Sequence, residues 1–120
     1  MPRDRSVLFI GLDPGVVDYA RWPGLSPEKL RAALDADRRA LEAEGYRVDI
    51  CFIDRGETAT AALRAHDPAC VMIGAGVRTD AEHFLLFERL INVVHAAAPG
   101  ARLCFNTGPT DSAAAVRRWI

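Results

Sequence analysis

The chain has 120 residues, half of them hydrophobic, with 15 basic against 16 acidic side chains, which is the arithmetic of one globular domain spanning residues 1–120. A formal charge of −1 excludes a dedicated nucleic-acid surface, because phosphate contacts need clustered, uncompensated Lys and Arg. No apolar run approaches the roughly 20 residues that span a bilayer, and Met1-Pro2-Arg3-Asp4-Arg5 leads into a strand-like run without a signal-type cleavage site, so we expect a cytoplasmic protein with no membrane partner.

Ser6 to Leu12 is a continuous apolar run of strand length, the pattern of a central strand covered on both faces. A helix is predicted from Ser26 to about Glu44. Ser26 is its N-cap, Pro27 fits its first position, and Leu30, Ala33, Leu34 and Leu41 share one face before Gly45 stops it. Arg47 to Asp54 alternates as a half-exposed edge strand does, and a second helix ends near His66. Ala69 to Ile73 is another fully apolar strand. The helix after it is predicted over Asp80 to Ala98, opened by a Thr79-x-x-Glu82 capping box. A polar-marked strand from Arg102 to Phe105 and a short helix from about Asp111 to Trp119 complete the chain.

Strands alternating with helices give a parallel sheet with right-handed crossovers. With the two apolar strands inside and the polar-marked ones at the edges, the order is 2-1-3-4, a three-layer, flavodoxin-like α/β fold. In such sheets ligands sit beyond the carboxyl ends of the strands, where connections diverge between strands one and three. Two loops meet there. The first runs from Gly11 to Leu25 through Asp13, Tyr19 and Trp22, far longer than the two to six residues usual for such a connection. The second is Gly74-Ala75-Gly76-Val77-Arg78. Its glycines admit close backbone approach and Arg78 adds a fork of donors, so a phosphate or carboxylate is the natural guest; the alternative is a glycine turn whose Arg78 pairs with a neighbouring acid. Asp54 to Thr58 and Asn106 to Asp111 bring polar side chains to the other two strand ends, in residue types that turns and caps need anyway. The expected lining is Asp13, Gly74, Gly76, Arg78, Asn106 and Thr107.

Asp13 follows the first strand, where a nucleophilic carboxylate could sit, or it simply opens the turn before Pro14. His83 projects near the strand ends, as a general acid or base or as a buried structural residue. His66 sits where a helix dipole favours it. Glu88, Asn92 and His95 share a helical face that reads as solvated and not as a metal site. Cys51, Cys70 and Cys104 are an odd count without a C-x-x-C pair, so three reduced, mostly buried thiols are expected, and neither metal nor cofactor is implied. Lys29 is the only lysine; Arg usage and the Ala-rich helices point to a GC-rich bacterial genome. Between Phe84 and Val94 eight of eleven residues are apolar, more than one sheet face needs. That excess, at Leu86, Leu90 or Val93, suggests a homodimer through the third predicted helix, unless a neighbouring helix of the same chain covers it.

In strand order the chain resembles flavodoxins, receiver domains and the small IIB components of sugar phosphotransferase systems, yet it lacks the motifs of all three. The loop Gly11-Leu12-Asp13-Pro14-Gly15 has no hydroxyl-rich phosphate cradle and no cysteine. Gly74-Ala75-Gly76 stands where receivers carry the phosphoacceptor Asp. Over nearly its full length the sequence is similar to a group of small bacterial receiver-like proteins, with no assigned reaction, that share G-L-D-P (Gly11–Pro14), I-G-A-G-V-R (Ile73–Arg78), F-E-x-L-I-N-V-V-H (Phe87–His95) and C-F-N-T-x-P-x-D (Cys104–Asp111). The resemblance supports the site location and names no chemistry. The expected function is binding of a small anionic ligand at the strand-end edge. The alternatives are a noncatalytic receiver-like interaction module acting through the third predicted helix, and a small hydrolase or transferase using Asp13 or His83.

Overall fold

The computed structural model describes residues 5–53, 59–108 and 110–120. Strands β1 (Ser6–Leu12), β2 (Arg47–Ile53), β3 (Cys70–Ile73) and β4 (Arg102–Cys104) form one all-parallel sheet in the order β2-β1-β3-β4. The register sets Val7 between Val48 and Cys70, and Met72 beside Cys104. Both inner strands are buried along their whole length, whereas Arg47, Phe52 and Arg102 on the edge strands are exposed. Burial on two faces accounts for the continuous apolar runs of β1 and β3.

Because side chains alternate across a strand, β1 feeds two separate cores. Leu8, Ile10 and Leu12 join Val71, Ile73 and Ile53 under α2 (Ala59–His66) and α4 (Phe84–Ala97), whose Leu63, Leu90 and Val94 complete that layer. Val7 and Phe9 join Val48, Met72 and Cys104 on the opposite face, under α1 (Pro27–Ala43) and α5 (Ser112–Arg117). The fold is therefore the expected flavodoxin-like three-layer arrangement. Among the described residues no helix is long and apolar enough to cross a membrane.

Helix α1 starts where Ser26 Oγ accepts a hydrogen bond from the Lys29 amide, with Pro27 at the first position, and it is stopped by Gly45 at φ +93°. Only Leu41, near its C-terminal end, is fully buried. Leu30 and Leu34 in the N-terminal half are half-buried, so that half stands off the sheet. The reason lies in β1. The Phe9 ring lies over Gly11 and Gly74, so close that a Cβ on Gly11 would fall 2.7 Å from the ring and one on Gly74 3.0 Å from it. An aromatic ring laid along the sheet surface here holds α1 away from the strand ends.

Several boundaries shift. The Gly74–Arg78 segment, expected as an open turn, closes into a one-turn helix, α3 (Ala75–Arg78). The Thr79–Glu82 capping box does not form. Thr79 Oγ1 donates back to Ala75 O at 2.7 Å because it ends α3, and Asp80 caps the following 3-10 turn, Ala81–His83, by accepting from the Glu82 amide. Leu90, offered for a dimer contact, is wholly buried, and Leu86 and Val93 pack on the same core; α2 lies alongside α4. The exposed large apolar side chains of α4 are Phe84 and Leu85 at its start. Asp54 and the loop to Thr58 lie outside the described residues.

Gly11→Ala should destabilise the protein by about 1–3 kcal/mol, because the new methyl group overlaps the Phe9 ring. Urea unfolding of Gly11→Ala with and without Phe9→Leu tests this: the second change should recover much of the loss, and strictly additive losses would refute the contact.

Candidate functional site

The space left under the raised half of α1 is a cavity of about 380 Å³ at the carboxyl edge of the sheet, at the β1/β3 switch point. Its volume lies within the range of small-molecule pockets. Phe9 forms the floor, Leu12, Leu30 and Leu34 the sheet and α1 sides, and Val17, Trp22, Pro23 and Leu25 from the long β1–α1 loop the roof. The polar side chains bordering the space are Asp18, Arg21, Asp80, His83, Asn106 and Thr107, of which Asp18, Arg21, Asp80 and His83 cluster together.

The loop is held over the cavity by an ion-pair latch. A 3-10 turn, Tyr19–Arg21, is capped by the Asp18 carboxylate and carries Arg21 across to the start of α4. The guanidinium places Nη1 3.0 Å from Asp80 Oδ1, Nη2 2.8 Å from Glu82 Oε1 and Nε 3.5 Å from Asp18 Oδ2. Three carboxylates thus surround one guanidinium. The Glu82 and Asp18 carboxylates are solvated, so their pairs with Arg21 are weak. The Asp80 side chain is only 7% exposed.

Of the residues expected from the sequence, Gly74, Gly76, Asn106, Thr107 and His83 line the cavity, and Asp13 and Arg78 do not. Asp13 Oδ1 accepts the Gly15 amide at 2.8 Å, the turn-opening role. Arg78 turns inward. Its Nε donates to Ile73 O at 2.8 Å, its Nη2 donates to the main-chain oxygen and to Oδ1 of Asn106, and its guanidinium stacks over the Phe105 ring at 5.2 Å. It is a strut between the ends of β3 and β4. His83 is buried, and its Nδ1 donates to Gly76 O at 3.1 Å, since a carbonyl oxygen can only accept.

Asn106 is positioned by a chain of hydrogen bonds that reaches α1. Its Nδ2 donates to Ser112 Oγ at 3.0 Å, and the wholly buried Ser112 hydroxyl donates to Asp37. With Arg78 Nη2 donating to its Oδ1, both ends of the amide are assigned. Thr107 is tied to Asp111, which accepts from its amide at 2.9 Å and its hydroxyl at 2.7 Å. Elsewhere His66 Nδ1 lies 3.2 Å from Asp49, and Glu88, Asn92 and His95 form an exposed face. Cys70 and Cys104 are buried with their sulfurs 3.3 Å apart; the hydrogen bond to Cys70, then burial, pushes the Cys104 thiol far up. Cys51 is half-buried. Among the described residues no group of three metal-ligating side chains occurs.

Arg21, Trp22 and Asp80 are absent from the expected lining. The unusual length of the β1–α1 loop points to Arg21 and Trp22, but nothing local points to Asp80, whose pairing with Arg21 is set by the tertiary fold. No family matches the chain, and none of the curated proteins or solved structures compared with it does.

Two carboxylates beside the cavity respond to pH with opposite sign. Burial pushes the Asp37 carboxyl above its ordinary value of 3.8, against the hydrogen bonds from Ser112. Burial also acts upward on Asp111, but the hydrogen bonds from Thr107 and Gly108 outweigh it and hold that carboxyl below the same value. A raised carboxyl penalises the fold once pH has climbed past its folded value, and a depressed one contributes stability that is lost as pH falls through its folded value. Relative to the parent protein, Asp37→Asn should therefore be more favourable at pH 7 than at pH 3, and Asp111→Asn less favourable. Urea midpoints at the two pH values check this, and a shared trend would contradict it.

Proposed function

We propose that the protein binds a small organic molecule with a flat, apolar body in the cavity beneath the β1–α1 loop. The observation that carries this reading is the cavity itself: about 380 Å³, floored by Phe9, walled by aliphatic side chains and roofed by Trp22, at the edge where this fold class places ligands. Burying an apolar body against such walls contributes roughly 25 cal/mol per Å². A bare phosphate gains none of this. The small anion expected from Gly74-Ala75-Gly76-Val77-Arg78 also has less to meet than the sequence promised, since Nε and Nη2 of Arg78 are engaged by backbone and Asn106 oxygens.

N-phenyl-1-naphthylamine, a neutral fluorophore that brightens in apolar surroundings, is the probe. It should bind the parent protein at one site. Gly76→Leu should weaken it at least about tenfold, because a Cβ at Gly76 meets open space at the cavity wall and a longer side chain there displaces the ligand while sparing the core. Inorganic phosphate should not raise the melting temperature. Stabilisation by phosphate without probe binding would overturn the reading in favour of an anion site.

One observation favours a second reading, an interaction module. Phe84 is 65% and Leu85 72% exposed, side by side at the start of α4. The homodimer expected from the apolar excess of this helix would use this pair and not Leu90. Replacing both with Ser should then shift sedimentation from dimer to monomer; a parent protein that is monomeric at high concentration removes that role.

A further inference from the structure

We propose that the ligand of this cavity is an organic cation, a flat molecule whose amine or amidine group docks on Asp80. The inference rests on the cavity being a binding site, and it names the chemistry of the group that enters it.

The Asp80 carboxylate borders the cavity with its side chain more than nine-tenths buried. Its two oxygens differ. Oδ1 accepts from the Glu82 amide at 2.9 Å and from Arg21 Nη1 at 3.0 Å. Oδ2 accepts no hydrogen bond from any described residue: its closest ionic neighbour, His83 Nδ1, stands 3.9 Å away, beyond hydrogen-bond range, and gives its proton to Gly76 O. No fully enclosed side-chain oxygen or nitrogen among the described residues lacks a partner, so Oδ2 touches open space, and the space against Asp80 is the cavity. A carboxylate oxygen with vacant lone pairs, on a side chain that is otherwise enclosed, recognises a donor, and charge-assisted donors satisfy it best.

The surroundings carry the same sign. Among the described residues Arg21 is the one Lys or Arg lining the cavity, and it is shared among Asp18, Asp80 and Glu82, leaving this end with an excess of negative charge. An anion placed here faces net repulsion and must pull Arg21 from its partners. A cation needs only to join Arg21 on Asp80, or replace it. Arg21 is thus an internal stand-in: the loop inserts its own guanidinium where the ligand's basic group goes. Aromatic faces at Phe9 and Trp22 suit a flat cation as well.

Benzamidine, benzamide and benzoate share a body and differ in charge, so displacement of N-phenyl-1-naphthylamine by the three isolates the charged contact. Benzamidine should compete about tenfold more tightly than benzoate, with benzamide between them. Asp80→Asn, which keeps an oxygen to cap Glu82, should abolish the preference, and Arg21→Gln should strengthen it by removing the internal competitor. If Asp80→Asn does not fold, the parent series and Arg21→Gln decide. Equal competition by all three compounds, still blocked by Gly76→Leu, overturns the cation while leaving the cavity as a binding site. Preference for benzoate overturns it too. Failure of the fluorophore itself to bind removes the cavity reading and this inference with it.

Discussion

Everything above the carboxyl edge of this sheet depends on one contact, the Phe9 ring lying over Gly11 and Gly74. At most positions of an α/β sheet an inward-facing side chain stands up and meets a helix. Here two neighbouring residues without side chains let the ring lie down across β1 and β3. A flattened ring fills area and little height, so the N-terminal half of α1 finds nothing to rest on, and Leu30 and Leu34 face a void. The C-terminal half closes normally on Leu41. A helix tilted in this way is costly unless something else covers the gap, and the fifteen residues from Gly11 to Leu25 supply that cover.

The polar groups around the void divide into those that hold the protein together and those that face the interior space. Arg78, Asn106, Ser112 and Asp37 form a continuous hydrogen-bonded series that joins the ends of β3 and β4 to α1. Buried polar groups satisfied in this fashion rigidify the edge of a short sheet whose outer strand has only three residues. Arg21 and the three carboxylates belong to the other group. They bridge a loop to a helix start across the mouth, partly in solvent, where such pairs contribute little to stability. Rigidity beneath and weak fastening above would suit the binding role proposed for the cavity, since the upper part could open without unfolding the lower.

The strand order was legible because burial writes itself into sequence: β1 and β3 are apolar at every position except Ser6 and Gly11, and β2 and β4 carry the charged residues that edges tolerate. The edge at which the cavity lies followed from that order and from the length of one loop. Its chemistry did not follow. Gly74-Ala75-Gly76-Val77-Arg78 reads as an anion cradle in isolation, but the same five residues close into a helical turn, and the turn aims Arg78 at carbonyls left over from β3 and β4. Thr79 and Glu82 match a capping box, yet Asp80 between them caps the next turn instead. The pairing of Arg21 with Asp80 joins residues 59 apart in sequence, and no local pattern encodes it.

The long loop has one more consequence, for how such a protein can change. Trp22, Pro23 and Leu25 of its roof belong to neither buried core, and beyond Val17 the loop is fastened mainly by the half-exposed Arg21 ion pair. Substitutions at the exposed roof positions Trp22 and Pro23 therefore cost little folding free energy, whereas a change at Phe9, Gly11 or Gly74 disturbs the sheet itself. For the binding role proposed above, selectivity and stability would then lie in separate stretches of the chain, with a roof free to drift while the floor stays constant.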